Sequence, residues 1–147
     1  MKKVIVTGAN GSGKSHFAAR LAEARPDIPI ISFDTIKLKT GWQQKSKSEI
    51  QASLAEELDR SAWILEGGPS LLTQALPHAD ALIWLDPSDW LRALRLAQRP
   101  WKFIGRTRPE LPDGNVDWPL QQYGFALKSL RRSRKFRQVI AKQFETS

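Results

Sequence analysis

Hydrophobic positions along the chain alternate between two periods, and that alternation lays out the elements. Lys3-Val4-Ile5-Val6-Thr7 is a β-branched run that favours an extended, buried strand. From about Gly13 to Arg25 the apolar residues Phe17, Ala18, Leu21 and Ala22 return at helical spacing until Pro26 stops them. Ile28 to Phe33 predicts a second strand that ends in Asp34. A polar, lysine-bearing stretch, Thr35 to Lys47, carries Gly41-Trp42 and leads into a helix over about 48–60. There Ile50, Leu54 and Leu58 recur at i, i+4 and i+8, behind capping-box patterns at Ser46/Glu49 and Ser48/Gln51. Ala62-Trp63-Ile64-Leu65 predicts a third strand closed by Glu66-Gly67-Gly68-Pro69, and Ser70 to Leu76 a short helix stopped by Pro77. Ala81 to Leu85 predicts a fourth strand, ending at Asp86-Pro87.

Beyond it, Ser88 is placed to cap a helix in which Leu91 and Leu94 face the core while Arg92, Arg95 and Arg99 line one side. From Pro100 to Pro119 the pattern loses any period; a loop of that length inside a compact domain points to a functional lid. About 120–144 is helical in pattern and strongly basic. Four apolar strands separated by helical segments predict an α/β fold: a mainly parallel sheet of about four strands with helices on both faces, in three layers. Residues 1–147 read as one domain, the lid at about 100–119 and the basic helix at about 120–144. In such sheets ligands bind beyond the carboxyl ends of the strands, where Asp34, Glu66 and Asp86 fall.

The first strand runs directly into Gly8-Ala9-Asn10-Gly11-Ser12-Gly13-Lys14-Ser15-His16 and then a helix, the context that gives the GxxxxGKS spacing its meaning. Gly8, Gly11 and Gly13 let the backbone take positive φ and approach a ligand, so that successive N–H groups gather around phosphate oxygens. The following helix aims its N-terminal dipole at the same phosphates. Lys14 is spaced to reach the β- and γ-phosphates and the Ser15 hydroxyl to ligate Mg²⁺. This stretch, 8–16, predicts nucleoside triphosphate binding.

Composition then narrows the picture. The chain carries a formal charge of +8, and the excess is one-sided: residues 1–87 hold ten basic and ten acidic side chains, residues 88–147 thirteen and five. Such a surplus implies polyanionic ligands, either nucleotide phosphates or a nucleic-acid backbone. There is no Cys, so disulfides and thiolate metal sites are excluded, which suits a reducing compartment. No apolar run approaches the ~20 residues that span a bilayer, so a cytoplasmic protein without a membrane partner is expected.

The P-loop, Asp34 with Gly41-Trp42, Trp63-Ile64-Leu65-Glu66-Gly67, Leu85-Asp86 with its arginine helix, and Gly105-Arg106-Thr107-Arg108-Pro109 occur in an order that resembles small adenylate-kinase-like P-loop kinases. Within these the chain looks most like the subgroup called "DNA topology modulation protein", over about residues 2–140. The resemblance implies the P-loop NTPase fold of nucleoside monophosphate and shikimate kinases, with ATP and Mg²⁺. Carried over residue by residue, it gives Asp34 the acceptor, Glu66 the Mg²⁺ through water, and Arg99, Arg106 and Arg108 the transferring phosphoryl group. The chain departs from the pattern in three places. Position 16 is His where Thr is usual, Glu66 stands for the usual Asp, and a fifth strand seen in relatives is lacking.

Several residues keep a second reading. Asp34 and Glu66 also suit caps or turns, Asp86 reads as structural, and Trp42 suits either an acceptor ring or the core. The cluster Lys128, Arg131, Arg132, Arg134, Lys135 and Arg137 reads first as a solvated face, then as part of the site, then as a nucleic-acid contact. The function expected is Mg²⁺-ATP-dependent phosphoryl transfer to a nucleotide or other small-molecule acceptor. Alternatives are a nucleotide-dependent, nucleic-acid-associated ATPase or binding protein, or a degenerate P-loop protein that binds without turnover.

Overall fold

The computed structural model describes residues 1–39, 43–102 and 119–145. β1 (Lys3–Gly8) is flanked in parallel by β3 (Trp63–Gly67) and β4 (Ala81–Leu85), and β2 (Ile30–Ser32) adds to the far side of β3, giving the order β2-β3-β1-β4. Because every strand runs the same way, the register brings Gly8 beside Leu85, Thr7 beside Gly67 and Ser32 beside Glu66. The strand ends that carry polar side chains therefore meet at one edge, below the P-loop.

Alternation along the strands divides the core in two. Ile5, Trp63 and Leu65 point to one face, where α2 (Phe33–Lys37), α3 (Lys47–Leu58), the helical turns of 69–78 with α4 (Leu72–Ala75), and Ile140 of α7 (Ser133–Glu145) close over them. Val4, Val6 and Ile64 point to the other face and meet Ala18 of α1 (Lys14–Ala24) and Ile28. The fold is the three-layer α/β arrangement of P-loop NTPases. α5 (Asp89–Lys102) packs on α6 (Pro119–Arg131) and leans over the P-loop, where Leu96 lies against Gly11. Among the described residues no helix is long and apolar enough to cross a membrane.

Four expectations are corrected. The second strand is shorter than Ile28 to Phe33 at both ends. The Ile28 N–H goes to Arg25 O, closing a turn after α1, and Phe33 leaves the ladder to bury its ring below Gly67, opening α2 with Asp34 in its first turn. The helix after β4 turns a different face inward. Arg92 and Leu96 are buried while Leu94 is 42% exposed, because the neighbour on that side is the polar P-loop backbone and not an apolar sheet. The same helix continues past Pro100 to Lys102. Finally, the basic C-terminal stretch is two helices broken at Arg132, with Ser133 buried at the break and donating to Leu130 O at 2.7 Å. The expected lid residues 103–118, with Arg106 and Arg108, and Trp42 lie outside the described residues.

Candidate functional site

The P-loop has the backbone that its glycines permit. Gly11 and Gly13 sit at φ 80° and 93°, in the left-handed region where an L side chain is strained. At Gly8 the requirement is space, since a Cβ would stand 2.5 Å from Ser12 Oγ and 2.6 Å from Leu85 O. The loop delivers α1 with an open N-terminus: Gly13 supplies no side-chain cap and the first turn has no acid. The orphan N–H groups of that turn and its dipole therefore face whatever occupies the loop. Lys14 is half-buried at this point, and among the described residues no ion pair holds its ammonium group. Ser12 Oγ is buried with no hydrogen-bond partner, an orphaned polar atom inside the cradle.

Glu66 ends β3 beneath this loop, only 2% exposed. Ser15 Oγ donates to its Oε2 at 3.3 Å and Ser32 Oγ to its Oε1 at 2.7 Å, so two hydroxyls on two other elements fix the carboxylate. A hydroxyl and a carboxylate this close form an all-oxygen donor pair suited to a hard cation that keeps most of its waters. The residues present therefore fit Mg²⁺, and they lie beside the glycine loop and the open N-terminus of α1. Among the described residues no group of three or more His, Asp or Glu makes a self-sufficient metal cage. Ser32 belongs to no motif in the sequence; its signal is its place opposite Glu66 at the end of an edge strand.

Two clefts open from this edge. One, of about 750 Å³, is lined by Ser15, His16, Ile31, Ser32, Thr35 and Glu66 among others. The second, of about 840 Å³, lies among α2, α3 and α4 and takes in Lys37, Lys45, Lys47, Gln51, Ser70 and Gln74. Phe33 lines it too and lies against Gly67 at the end of β3. Asp34 lines neither cleft; it is one turn from Lys37 and holds that ammonium group at 2.9 Å. The structure thus brings Lys14, Ser15, His16 and Glu66 together and places Asp34 behind a cleft lysine.

The arginine helix holds the loop from outside. Arg92, 1% exposed, donates from Nε to Asn10 O at 3.1 Å, from Nη1 to Asp89 Oδ1 at 2.9 Å and Ser133 Oγ at 2.7 Å, and from Nη2 to Ser129 Oγ at 3.2 Å. Arg95 Nη1 donates to Ser12 O at 3.0 Å and Gly11 O at 3.4 Å. By engaging the carbonyl oxygens, the two guanidinium groups fix the orientation of these loop peptides, while the Ser12 N–H closes a turn on Ala9 O at 3.1 Å. Arg99 follows Arg95 by one turn on α5, and its side chain lies outside the described residues. Asp86 is structural, as expected: Arg137 grips it through Nε at 2.9–3.0 Å and reaches Asp89 with both Nη atoms. The Arg137 hydrogen bonds hold the Asp89 carboxyl below its ordinary range against the opposing effect of burial, while Asp86 and then Asp89 raise Arg137. In the sequence Arg92 is one of a stripe; the spacing that marks it is Arg92 with Leu96 on α5 facing Ser129 and Ser133, four apart across the α6–α7 break.

No protein-family model matches this chain, and no curated protein matches it in sequence. A chain of the Pnkp1/Rnl/Hen1 RNA repair complex superposes with a TM-score of 0.53 at 17% identity, covering 85% of this chain and 44% of its own length. This chain thus spans less than half of that protein, and the likeness shows the P-loop kinase-like fold alone. A gluconokinase from Sinorhizobium meliloti 1021 aligns over 96% of this chain and 97% of its own, with 20% identity and a TM-score of 0.48.

Proposed function

We propose that this chain is a Mg²⁺-ATP-dependent phosphotransferase acting on an anionic acceptor. The observation that carries the reading is the open α1 N-terminus, which begins at Lys14 and whose next residue, Ser15, meets Glu66: an N-terminus suited to phosphates and an oxygen pair suited to a cation stand side by side. Phosphoryl transfer asks for positioning and charge neutralisation more than for covalent chemistry by the protein. The first-turn N–H groups of α1 would bind and orient the phosphates, and Lys14 would meet the charge on the outer ones. Mg²⁺, when bound through Ser15 and, by way of water, Glu66, supplies further charge neutralisation. Ser32 keeps the carboxylate aimed at that place.

The second cleft is assigned to the acceptor. Its three lysines suit a phosphate or carboxylate on that molecule, and Asp34, which holds the Lys37 ammonium group, is assigned to position that lysine toward the acceptor. Arg99, Arg106 and Arg108 are assigned to the transferring group, a role that guanidinium forks fill well. The test is an ADP-release assay over nucleoside monophosphates and small phosphorylated or carboxylated alcohols, with Lys14→Ala as control. Acceptor-stimulated release that vanishes in the control is the expected result. Tight ATP binding with no release for any acceptor would overturn the assignment as an enzyme.

A further inference from the structure

The basic residues near the C-terminus divide into two populations. Arg137 is consumed by Asp86 and Asp89. Lys128, Arg131, Arg132, Arg134 and Lys135 are exposed, and none forms an ion pair among the described residues. A charge run of this kind is ordinarily a solvated face. Here part of it borders a cleft: Arg132 and Lys135 stand with Pro69, Phe136 and Val139 around a depression of about 300 Å³. Phe136 is half-buried and Val139 is 40% exposed, so the floor is apolar with an aromatic ring, and the rim carries two cations. That combination matches one repeating unit of a single strand, a base on an aromatic surface and phosphates on the rim.

Its position adds a second argument. α7 packs on the turn of 69–71 that follows β3. Pro69 lines the small cleft, and Ser70, Thr73 and Gln74 of the same segment line the lysine-bearing cleft. Cations thus stand on both sides of one short segment, Arg132 and Lys135 on one and Lys37, Lys45 and Lys47 on the other. A single small anion needs one of these groups. A chain of phosphates can use both.

We propose that the cleft between α7 and the turn after β3 is a subsite for single-stranded nucleic acid, whose terminal hydroxyl is then the acceptor. The second clause rests on the phosphotransferase reading; the first does not. In the transfer the terminal hydroxyl oxygen forms a bond to the γ-phosphorus, the bond from that phosphorus to the β,γ-bridging oxygen breaks, ADP leaves, and the hydroxyl proton passes to a carboxylate or water.

The experiment uses the whole chain and a 3′-labelled, 5′-hydroxyl single-stranded 12-mer. Fluorescence anisotropy is measured from 50 to 200 mM salt, alongside ATP binding and γ-phosphate transfer to the 12-mer and to nucleoside monophosphates. Arg132→Glu with Lys135→Glu is compared with Lys2→Glu with Arg20→Glu, which makes the same change in net charge at exposed positions elsewhere. The first pair should weaken binding by about tenfold or more and lower the salt slope by about 2, leaving ATP binding unchanged. The second pair should leave the slope intact. Equal weakening by both pairs, or no binding by the unaltered chain, overturns the subsite. Binding that follows the first pair, with transfer only to mononucleotides, keeps the subsite and overturns the acceptor assignment. Binding without transfer to the 12-mer or to any acceptor of the ADP-release panel keeps the subsite while the phosphotransferase reading fails.

Discussion

α1 and α3 begin with the same problem and meet it in opposite ways. Each helix starts with N–H groups that have no partner within the helix. At α3 the chain supplies its own answer. Ser46 Oγ accepts from Glu49 N at 3.2 Å, Glu49 Oε2 accepts from Ser46 N at 2.7 Å, and Lys39 approaches the other carboxylate oxygen at 3.4 Å. At α1 there is no cap and no acid, and the preceding residue is a glycine at φ 93°. The closed terminus is a piece of scaffold; the open one is a place for something that the chain does not contain.

The largest effect that this contrast predicts is at Lys14. Lys14→Ala should lower acceptor-stimulated turnover by about a hundredfold or more, since it removes a full charge at the transferring phosphates. It should also erase the thermal stabilisation by ATP, which for the unaltered chain at a hundred times its Kd amounts to about 2.7 kcal/mol. Differential scanning fluorimetry with and without ATP reads this directly, and equal stabilisation of the two proteins would remove the α1 terminus from nucleotide binding.

Arg92→Met comes next. It leaves Asn10 O, Ser129 Oγ and Ser133 Oγ without their shared donor in a buried place, at a cost of about 2–3 kcal/mol in urea unfolding. ATP affinity should fall with it, because the loop loses one of the two groups that hold its carbonyl oxygens. A smaller change is expected at the closed terminus. Ser46→Ala should cost about 1 kcal/mol in stability and nothing in ATP affinity, the reverse of the pattern at Lys14.

The smallest effect is one of pH. Hydrogen bonds from Ser46, then the approach of Lys39, hold Glu49 down to about 2 from its ordinary 4.5. A carboxylate with a lowered pKa in the folded chain contributes stability that is fully present above its unfolded value and is lost as pH falls toward the folded one. Asp80, held low by the Lys2 and Lys3 backbone N–H groups, and Asp89 act in the same direction. Tm should therefore decline as the pH is lowered from about 5 toward 2. Glu49→Gln should make the decline shallower, as circular dichroism melts at intervals of one pH unit would record.

What the sequence makes legible follows from the range of the interactions. The four strands and the P-loop are local patterns: β-branched runs, and glycines where φ is positive or space is short. The α3 cap is legible for the same reason, since its two partners are three residues apart. The inward face of α5 is not. Leu91 and Leu94 look like core positions to any count of apolar spacing, yet the helix buries Arg92, whose partners stand 82, 37 and 41 residues away. The early end of β2 is hidden likewise, because Phe33 leaves the strand for a space under Gly67 that only the assembled sheet defines. Of the expected site, Glu66 meets Ser15 because β3 runs beside β1, whose end leads through the loop into α1, whereas Asp34 is turned aside by the helix that Phe33 opens.

The Arg92 junction also sets an order in time. Asn10 leaves the ribosome more than a hundred residues before the hydroxyls that share its guanidinium, Ser129 and Ser133. A nascent chain can lay down β1, the loop and α1 early. The grip on the loop from outside is complete only when α6 and α7 have emerged and docked, so the loop takes its final hold after the sheet that carries it is already made.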